Sequence, residues 1–525
     1  MGQSALSRRG LLAGAAAVGT LLRTEAVRAA AMNLTVVLES EAVILDPHVT
    51  TAAITRSFGY HVFDMLFAMT AAGDIRPQMV ERHEVAADGL TWRFTLRDRL
   101  LFHDGTPVTA ADCVASLARW APRDSLGRML LGAGATFTAD DAQSFTIALK
   151  QPFPLMLSVL GKPNAPLPCI MPARIIAAAG SGRIREIIGS GPFAFRADLW
   201  RPGDVMVLQR FDRYAPRQEP ADFLAGGKVV QVEQVVLRVM PDDATGANAL
   251  IAGEIDYMQY LPFDQLDLLA KAPGVRLMTL RGLDMFQGNF RLNHASGPFA
   301  DPAVRTVLWH LVDQKEMLEA AGIAPPYRLD SCKSFWMCGA PLATDAGSAV
   351  ATFDVAAARA ALARTGYKGE KVIMLQVAGS ISQAAGSVLA ARMREAGFTV
   401  EEQVMDWGTV LARRAKRDGW SLFPVYSNGI DMASPLTHFY VANNCGDYPG
   451  WSCSARMSGL LAAFAAAPDR AARRVIAADI QVEAYKEVPS VMWGQFARPA
   501  GYRTRLLDLI ASSFPIFWNV RLGAA

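Results

Sequence analysis

The stretch Phe102–Asp112, FHDGTPVTAAD, places a histidine, two aspartates and two threonines within one short segment. Such side chains could serve general acid–base or nucleophilic chemistry. Their order supports a different reading. Asp104 and Gly105 suit a turn. Thr109 stands three residues before Asp112, the spacing of an N-terminal helix cap for AADCVASLARW, and Asp112 favours the positive helix end. His103 then packs or hydrogen-bonds at the turn. A second glycine- and serine-rich stretch, IGSGPF at 188–193, lacks the full spacing of a nucleophile elbow and better suits a tight entry into a strand. No glycine-rich phosphate loop is present. The seven histidines (48, 61, 83, 103, 294, 310 and 438) form no close helical pair of metal-ligating type. Neither a metal nor a cofactor is expected.

The six cysteines contain two close pairs, Cys332/Cys338 in CKSFWMC and Cys445/Cys453 in CGDYPGWSC. In an oxidising compartment at least one disulfide is expected, foremost Cys445–Cys453. Cys113 falls in a helical pattern and reads as a buried thiol.

Around these residues the pattern alternates between strands and helices. GLTWRFTLRD has a period of two, with Leu90, Trp92, Phe94 and Leu96 on one face. TFTADDAQSFTIAL reads as two strands about a polar turn, and VMVLQRF and VVQVEQVVLRVM as further strands. DDATGANALIAGE is a helix capped by Asp242 or Asp243 and closed at Gly253. DPAVRTVLWHLVDQKEMLEAAG predicts a single helix from Asp301, with Pro302 at its first position, to Gly322. The alternation predicts an α/β protein, and a chain of 525 residues should hold two or three domains.

The N-terminus has the layout of an export signal. Arg8 and Arg9 precede an apolar run from Leu11 to Leu22, and small residues follow near Ala29–Ala31. SRRGLL is similar to the twin-arginine motif, with Leu11 where a phenylalanine is usual. The run is shorter than the roughly 18 residues of a membrane span. No cysteine precedes Cys113, so no lipid anchor is expected near the signal. Residues 1–31 hold four arginines and one glutamate; the remaining 48 basic and 48 acidic residues cancel. The net charge of +3 is therefore a targeting feature, and no basic run interleaved with aromatics points to nucleic acid. A periplasmic, monomeric protein is expected.

Four segments carry a family resemblance across almost the whole mature chain: PQMVERHEVAADGLTWRFTLRDRLLFHDGTPVTAADCVASLAR, GSGPFAFRADLWRPGDVMVLQRFDRY, VMPDDATGANALIAGEIDY and NFRLNHASGPFADPAVRTVLWHLVDQKEML. In these the chain resembles the family 5 extracytoplasmic solute-binding proteins of ABC importers, the peptide/nickel type. The resemblance implies a two-lobed, hinged α/β binding protein of type II with a further domain inserted in the first lobe. On this chain, lobe I would be 32–77, 186–288 and 495–525, the insert 78–185, and lobe II 289–494. Strands crossing near GNF and MWGQFARPAGY would form the hinge. The partners implied are a peptide or other amine-bearing solute and the permease subunits of the inner membrane. A peptide-signal receptor or envelope chaperone on the same scaffold, or a secreted hydrolase, are the competing readings.

The resemblance also implies site residues. Asp431, four residues before Pro435, keeps the spacing at which peptide-binding relatives carry an aspartate that pairs with a ligand's α-ammonium. Thr50 and Thr51 lie where relatives offer loop residues to the ligand. LQVAGSIS lacks the arginine with which dipeptide-binding relatives meet a carboxylate. Flat rings give contact area at low entropic cost, so Phe286, Trp407, Trp420 and Tyr426 are candidate cleft walls.

Overall fold

The computed structural model describes residues 33–523, apart from Pro241 and Asp447. The export-type segment 1–31 lies outside the described residues. Three sheets organise the chain. A seven-stranded sheet runs in the order Val275–Met278, Ala500–Arg503, Tyr257–Met258, Asn33–Val37, Gln234–Arg238, Val205–Arg210, Phe193–Phe195. Asn33–Val37 pairs in parallel with both neighbours, and the outer pairings are antiparallel. A six-stranded sheet runs Arg328–Leu329, Ser490–Phe496, Phe286–Leu292, Leu422–Asn428, Lys371–Val377, Thr399–Met405. The third sheet is an antiparallel array of Val80–Val85, Thr91–Leu96, Ser144–Ala148 and Thr136–Ala139.

Two crossings join the first two sheets. Residues 279–285 lead from Val275–Met278 into Phe286–Leu292, and residues 497–499 lead from Ser490–Phe496 into Ala500–Arg503. Phe286–Leu292 and Ser490–Phe496 are antiparallel neighbours and are buried along their whole length. Gly288 lets the Trp493 ring lie directly on its backbone; a Cβ there would come within 2.0 Å of the indole.

The two stretches that looked catalytic bind each other. His103 accepts an N–H from Gly189 (3.3 Å) and donates from Nε2 to the Gly191 carbonyl (3.0 Å). Asp112 Oδ2 accepts both the backbone N–H (2.8 Å) and the hydroxyl (2.7 Å) of Thr109, closing the capping arrangement of Ala110–Trp120. Its Oδ1 accepts the Ala173 N–H (2.7 Å), so the same carboxylate holds the start of Ala173–Ala179. Gly189 and Gly191 are required by close approach, because a Cβ at either would meet the backbone of residues 61–62 at 2.0 and 2.6 Å.

Other expectations were altered by local chemistry. The predicted single helix from Asp301 to Gly322 breaks into Pro302–Val307, a 3₁₀ turn Leu308–His310, and Gln314–Ala320. Asp313 caps the second helix by accepting the Glu316 N–H (3.2 Å), a capping signal hidden inside an apolar period. VVQVEQVVLRVM forms a strand only over Gln234–Arg238. Both cysteine pairs are joined, Cys332–Cys338 and Cys445–Cys453, while Cys113 and Cys169 are buried free thiols.

Burial pushes five imidazoles well below the usual 6.5, to about 4 for His48, His61 and His103 and about 3 for His294 and His438. The unfolded chain takes up these protons near pH 6.5, whereas the folded chain resists them until lower pH. Stability from these groups is therefore full above pH 6.5 and is lost as pH falls toward 4 and below. Calorimetry should show the unfolding temperature declining over that window. A flat profile between pH 7 and 4 would contradict the burial argument.

Candidate functional site

The lobe-facing edge of the six-stranded sheet is set by register. Phe286 lies opposite both Asn428 and Phe496, so three strands end together beside the crossings. Four rings cluster at this edge. Phe286 meets Tyr260, Tyr426 and Phe496 with centroids 5.5–5.7 Å apart, and Tyr426 meets Phe496 at 5.6 Å. Arg498, in the second crossing, lies over the Tyr260 ring at 4.1 Å and reaches the Tyr426 hydroxyl at 3.5 Å. Stacking against an aromatic face suits a guanidinium in a partly dry site.

Asp431 follows the strand Leu422–Asn428 on the short helix Gly429–Met432 and is buried. It does not stand alone. Its Oδ1 accepts Arg56 Nη1 at 2.7 Å and Asn164 Nδ2 at 2.6 Å. Asn164 also donates to the Ile430 carbonyl. Arg56 comes from the helix Ala53–Val62, which is buried along nearly its whole length, and its side chain is 1% exposed. Its guanidinium lies over Phe514 at 4.8 Å. Burial works against the Arg56 charge, but Asp431 together with Tyr60, Tyr260 and Glu39 more than offsets it. One carboxylate oxygen thus ties together three remote segments of the chain. Asp431 Oδ2 carries no hydrogen bond among the described residues, and the side chain keeps 10% exposure.

Glu39 adds a second carboxyl, just past the end of Asn33–Val37. The residue is accessible to water, yet protein groups stand close around its carboxyl, Arg498 and Arg56 among them. Burial pushes its carboxyl up, while Arg498 and Arg56 pull it down. Its backbone N–H is held by Gln259 Oε1 at 3.0 Å.

The candidates from the sequence separate into groups. Phe286, Tyr426 and Asp431 come together at the sheet edge. Thr50 is half-buried and Thr51 exposed; both border a hollow shared with Arg123, Arg128 and Arg183. Trp420 is 2% exposed, donates to the Lys416 carbonyl at 2.7 Å and packs on Phe423 at 5.4 Å. It is a core residue, because the strand that follows directs it under the sheet. Trp407 is 42% exposed on the first turn of Trp407–Arg414, with Arg414 across its ring at 5.2 Å. Arg56, Asn164, Glu39, Tyr260 and Arg498 were missed. Arg56 left one signal, a lone arginine within AITRSFGYHV, a helix otherwise free of formal charge. Among the described residues no group of three or more His, Cys, Asp or Glu could hold a metal ion, and no helix is long and apolar enough to cross a membrane.

Removing either partner of a buried pair strands the other charge, at a cost of about 3–5 kcal/mol, whereas replacing both by apolar groups is often close to neutral. Arg56→Met and Asp431→Leu should each lower the unfolding temperature, and the double variant should recover much of the loss. Thermal unfolding of the four proteins checks this. Losses that simply add would mean that the pair is not coupled.

The comparisons place this geometry among known proteins. The family model for bacterial extracellular solute-binding proteins, family 5 (middle), matches residues 74–449. A probable peptide ABC transporter periplasmic-binding protein of Sinorhizobium fredii is 35% identical over 530 residues, 98% of each chain. The glutathione-binding protein of an Escherichia coli strain is 27% identical over 57% of each chain. Among solved structures, a binding protein from A. tumefaciens R10 in complex with agropinic acid aligns with TM-score 0.77 at 22% identity, covering 94% of this chain and 99% of its own. The Helicobacter pylori periplasmic binding protein in complex with peptide STSA aligns with TM-score 0.78 at 19% identity, covering 94% and 98%. Matched by the family model over most of its length and by a 35% identical relative across nearly all of it, the chain belongs to the bacterial extracellular solute-binding proteins, family 5.

Proposed function

We propose that the chain is the substrate-binding component of an ABC importer, capturing a small peptide or related solute between its lobes outside the cytoplasm. The reading is one of binding without turnover. The observation that carries it is the cleft itself: Glu39, Arg56 and Arg498 converge with Phe286, Tyr260 and Tyr426 where the two sheets are joined by only two crossings. Hinge closure over such a site removes water and raises the value of each polar contact. The ligand must prefer the closed state to populate it.

Within this reading Asp431 Oδ2 meets the ammonium of a ligand, against a background already neutralised by Arg56. An ammonium gains less from an ion pair than from a lone carboxylate, so Glu39 shares the role. Tyr426 and Phe286 form the wall nearest the hinge. Lobe I would be 32–77, 186–288 and 495–525, the insert 78–185, and lobe II 289–494. The permease subunits are the partners that receive the solute. Export by the twin-arginine route accords with a chain of several domains crossing already folded, and both disulfides suit an oxidising destination.

Titrating the purified protein with sets of tri- to pentapeptides should give saturable thermal stabilisation, about 2.7 kcal/mol at a hundredfold excess over Kd. Mass spectrometry should recover the peptides intact. Cleaved peptide would point to a hydrolase. Absence of stabilisation by any set would remove peptides as the ligand class.

A further inference from the structure

The family's peptide reading leaves the carboxylate end of a ligand without a cation on the helix after Lys371–Val377. The structure offers cations elsewhere. Next to Asn164, a hollow of about 450 Å³ opens between the insert and lobe II. Thr51, Arg123, Arg128 and Asn164 line one wall; Asn443 and Tyr448 line the other. Asn164 is also the residue that grips Asp431, so this hollow adjoins the inner site directly.

The charges here do not cancel. Arg123 donates to the carbonyls of Arg119 and Ser181, neutral acceptors that leave its charge unmatched. Arg128 is exposed and has no ion-pair partner among the described residues. The one described carboxylate in the lining, Asp124, is already engaged. It forms a buried pair with Lys162 and accepts the N–H groups of Leu126 and Gly127 at the start of Ser125–Gly132. Those bonds hold it away from Arg128, and its own cation neutralises it. A neighbouring hollow of about 710 Å³ shares Thr51, Arg123 and Arg128 and adds Arg183, which has no carboxylate partner among the described residues. Asp447 lies outside the described residues.

We propose that Arg123 and Arg128 hold the anionic end of the transported solute, so that the ligand class is one bearing a carboxylate, with its other end toward Asp431 and Glu39. The proposal rests on the solute-binding reading above. Asn443 and Tyr448 line the same hollow as the two guanidinium groups. Excluding water there strengthens their charge-assisted hydrogen bonds to an anion. The insert thereby becomes a part of the binding site, in contrast to a passive spacer.

The test pairs two probes. Tri- to pentapeptide sets are prepared once as free acids and once as C-terminal amides, and their affinities are measured by calorimetry on wild type, Arg123→Gln and Arg128→Gln. The free acids should bind at least roughly fivefold more tightly than the amides, and each variant should bring that ratio toward one, the behaviour of a charge pair at an interface. Equal affinities for acid and amide in wild type, or a ratio unchanged in both variants, would overturn the proposal while leaving peptide binding standing. Succinate compared with chloride at matched ionic strength serves as the second probe. If no peptide binds but succinate stabilises wild type and not the variants, the anion site stands and the peptide reading falls. If no peptide binds and succinate has no effect beyond chloride, the proposal falls as well.

Discussion

One carboxylate oxygen carries the arrangement of the cleft. Asp431 Oδ1 receives Arg56 from the helix Ala53–Val62 and Asn164 from the loop after Met156–Leu160, while Asp431 itself follows Leu422–Asn428 of the six-stranded sheet. A guanidinium with 1% exposure has a high desolvation cost, which is offset here chiefly by that carboxylate, with Tyr60, Tyr260 and Glu39 nearby and the Phe514 ring beneath it. The three bodies are therefore coupled through a contact that is favourable only when all of them are in place. Separating the lobes must either hydrate Arg56 or leave it stranded.

The hinge acts on the same point. Phe286–Leu292 and Ser490–Phe496 are adjacent in one sheet and feed the two crossings into the other. Any rotation about them would change the distance between Arg56 and Asp431 while leaving each sheet intact. Packed sheets resist bending, so motion concentrates in the short crossings. Arg498 sits in one of these, stacked on Tyr260 and touching Tyr426 of the six-stranded sheet.

Local signals in the sequence carried much of the fold. The Thr109–Asp112 spacing foretold a cap because both partners lie within one helical turn. The two disulfides were visible as close pairs for the same reason of short separation. Asp313 was overlooked because its cap interrupts an apolar period that otherwise reads as one helix. Trp420 was misplaced because an aromatic ring looks the same in sequence whether it walls a cleft or fills a core. His103 was read from the sequence as packing or hydrogen-bonding at the turn, but its partners, Gly189 and Gly191, lie too far along the chain for any local pattern to name them.

What the sequence by itself determined is the α/β alternation, the capped helices and the order of the family segments, from which Asp431 was expected as a buried carboxylate. Only the tertiary structure decided that this anion already has a cation. Arg56 and Asp431 are separated by 375 positions, and Asn164 and Asp431 by 267. No local period or spacing encodes such a pair, since its favourable energy exists only after both groups have been removed from water by the packing of the lobes.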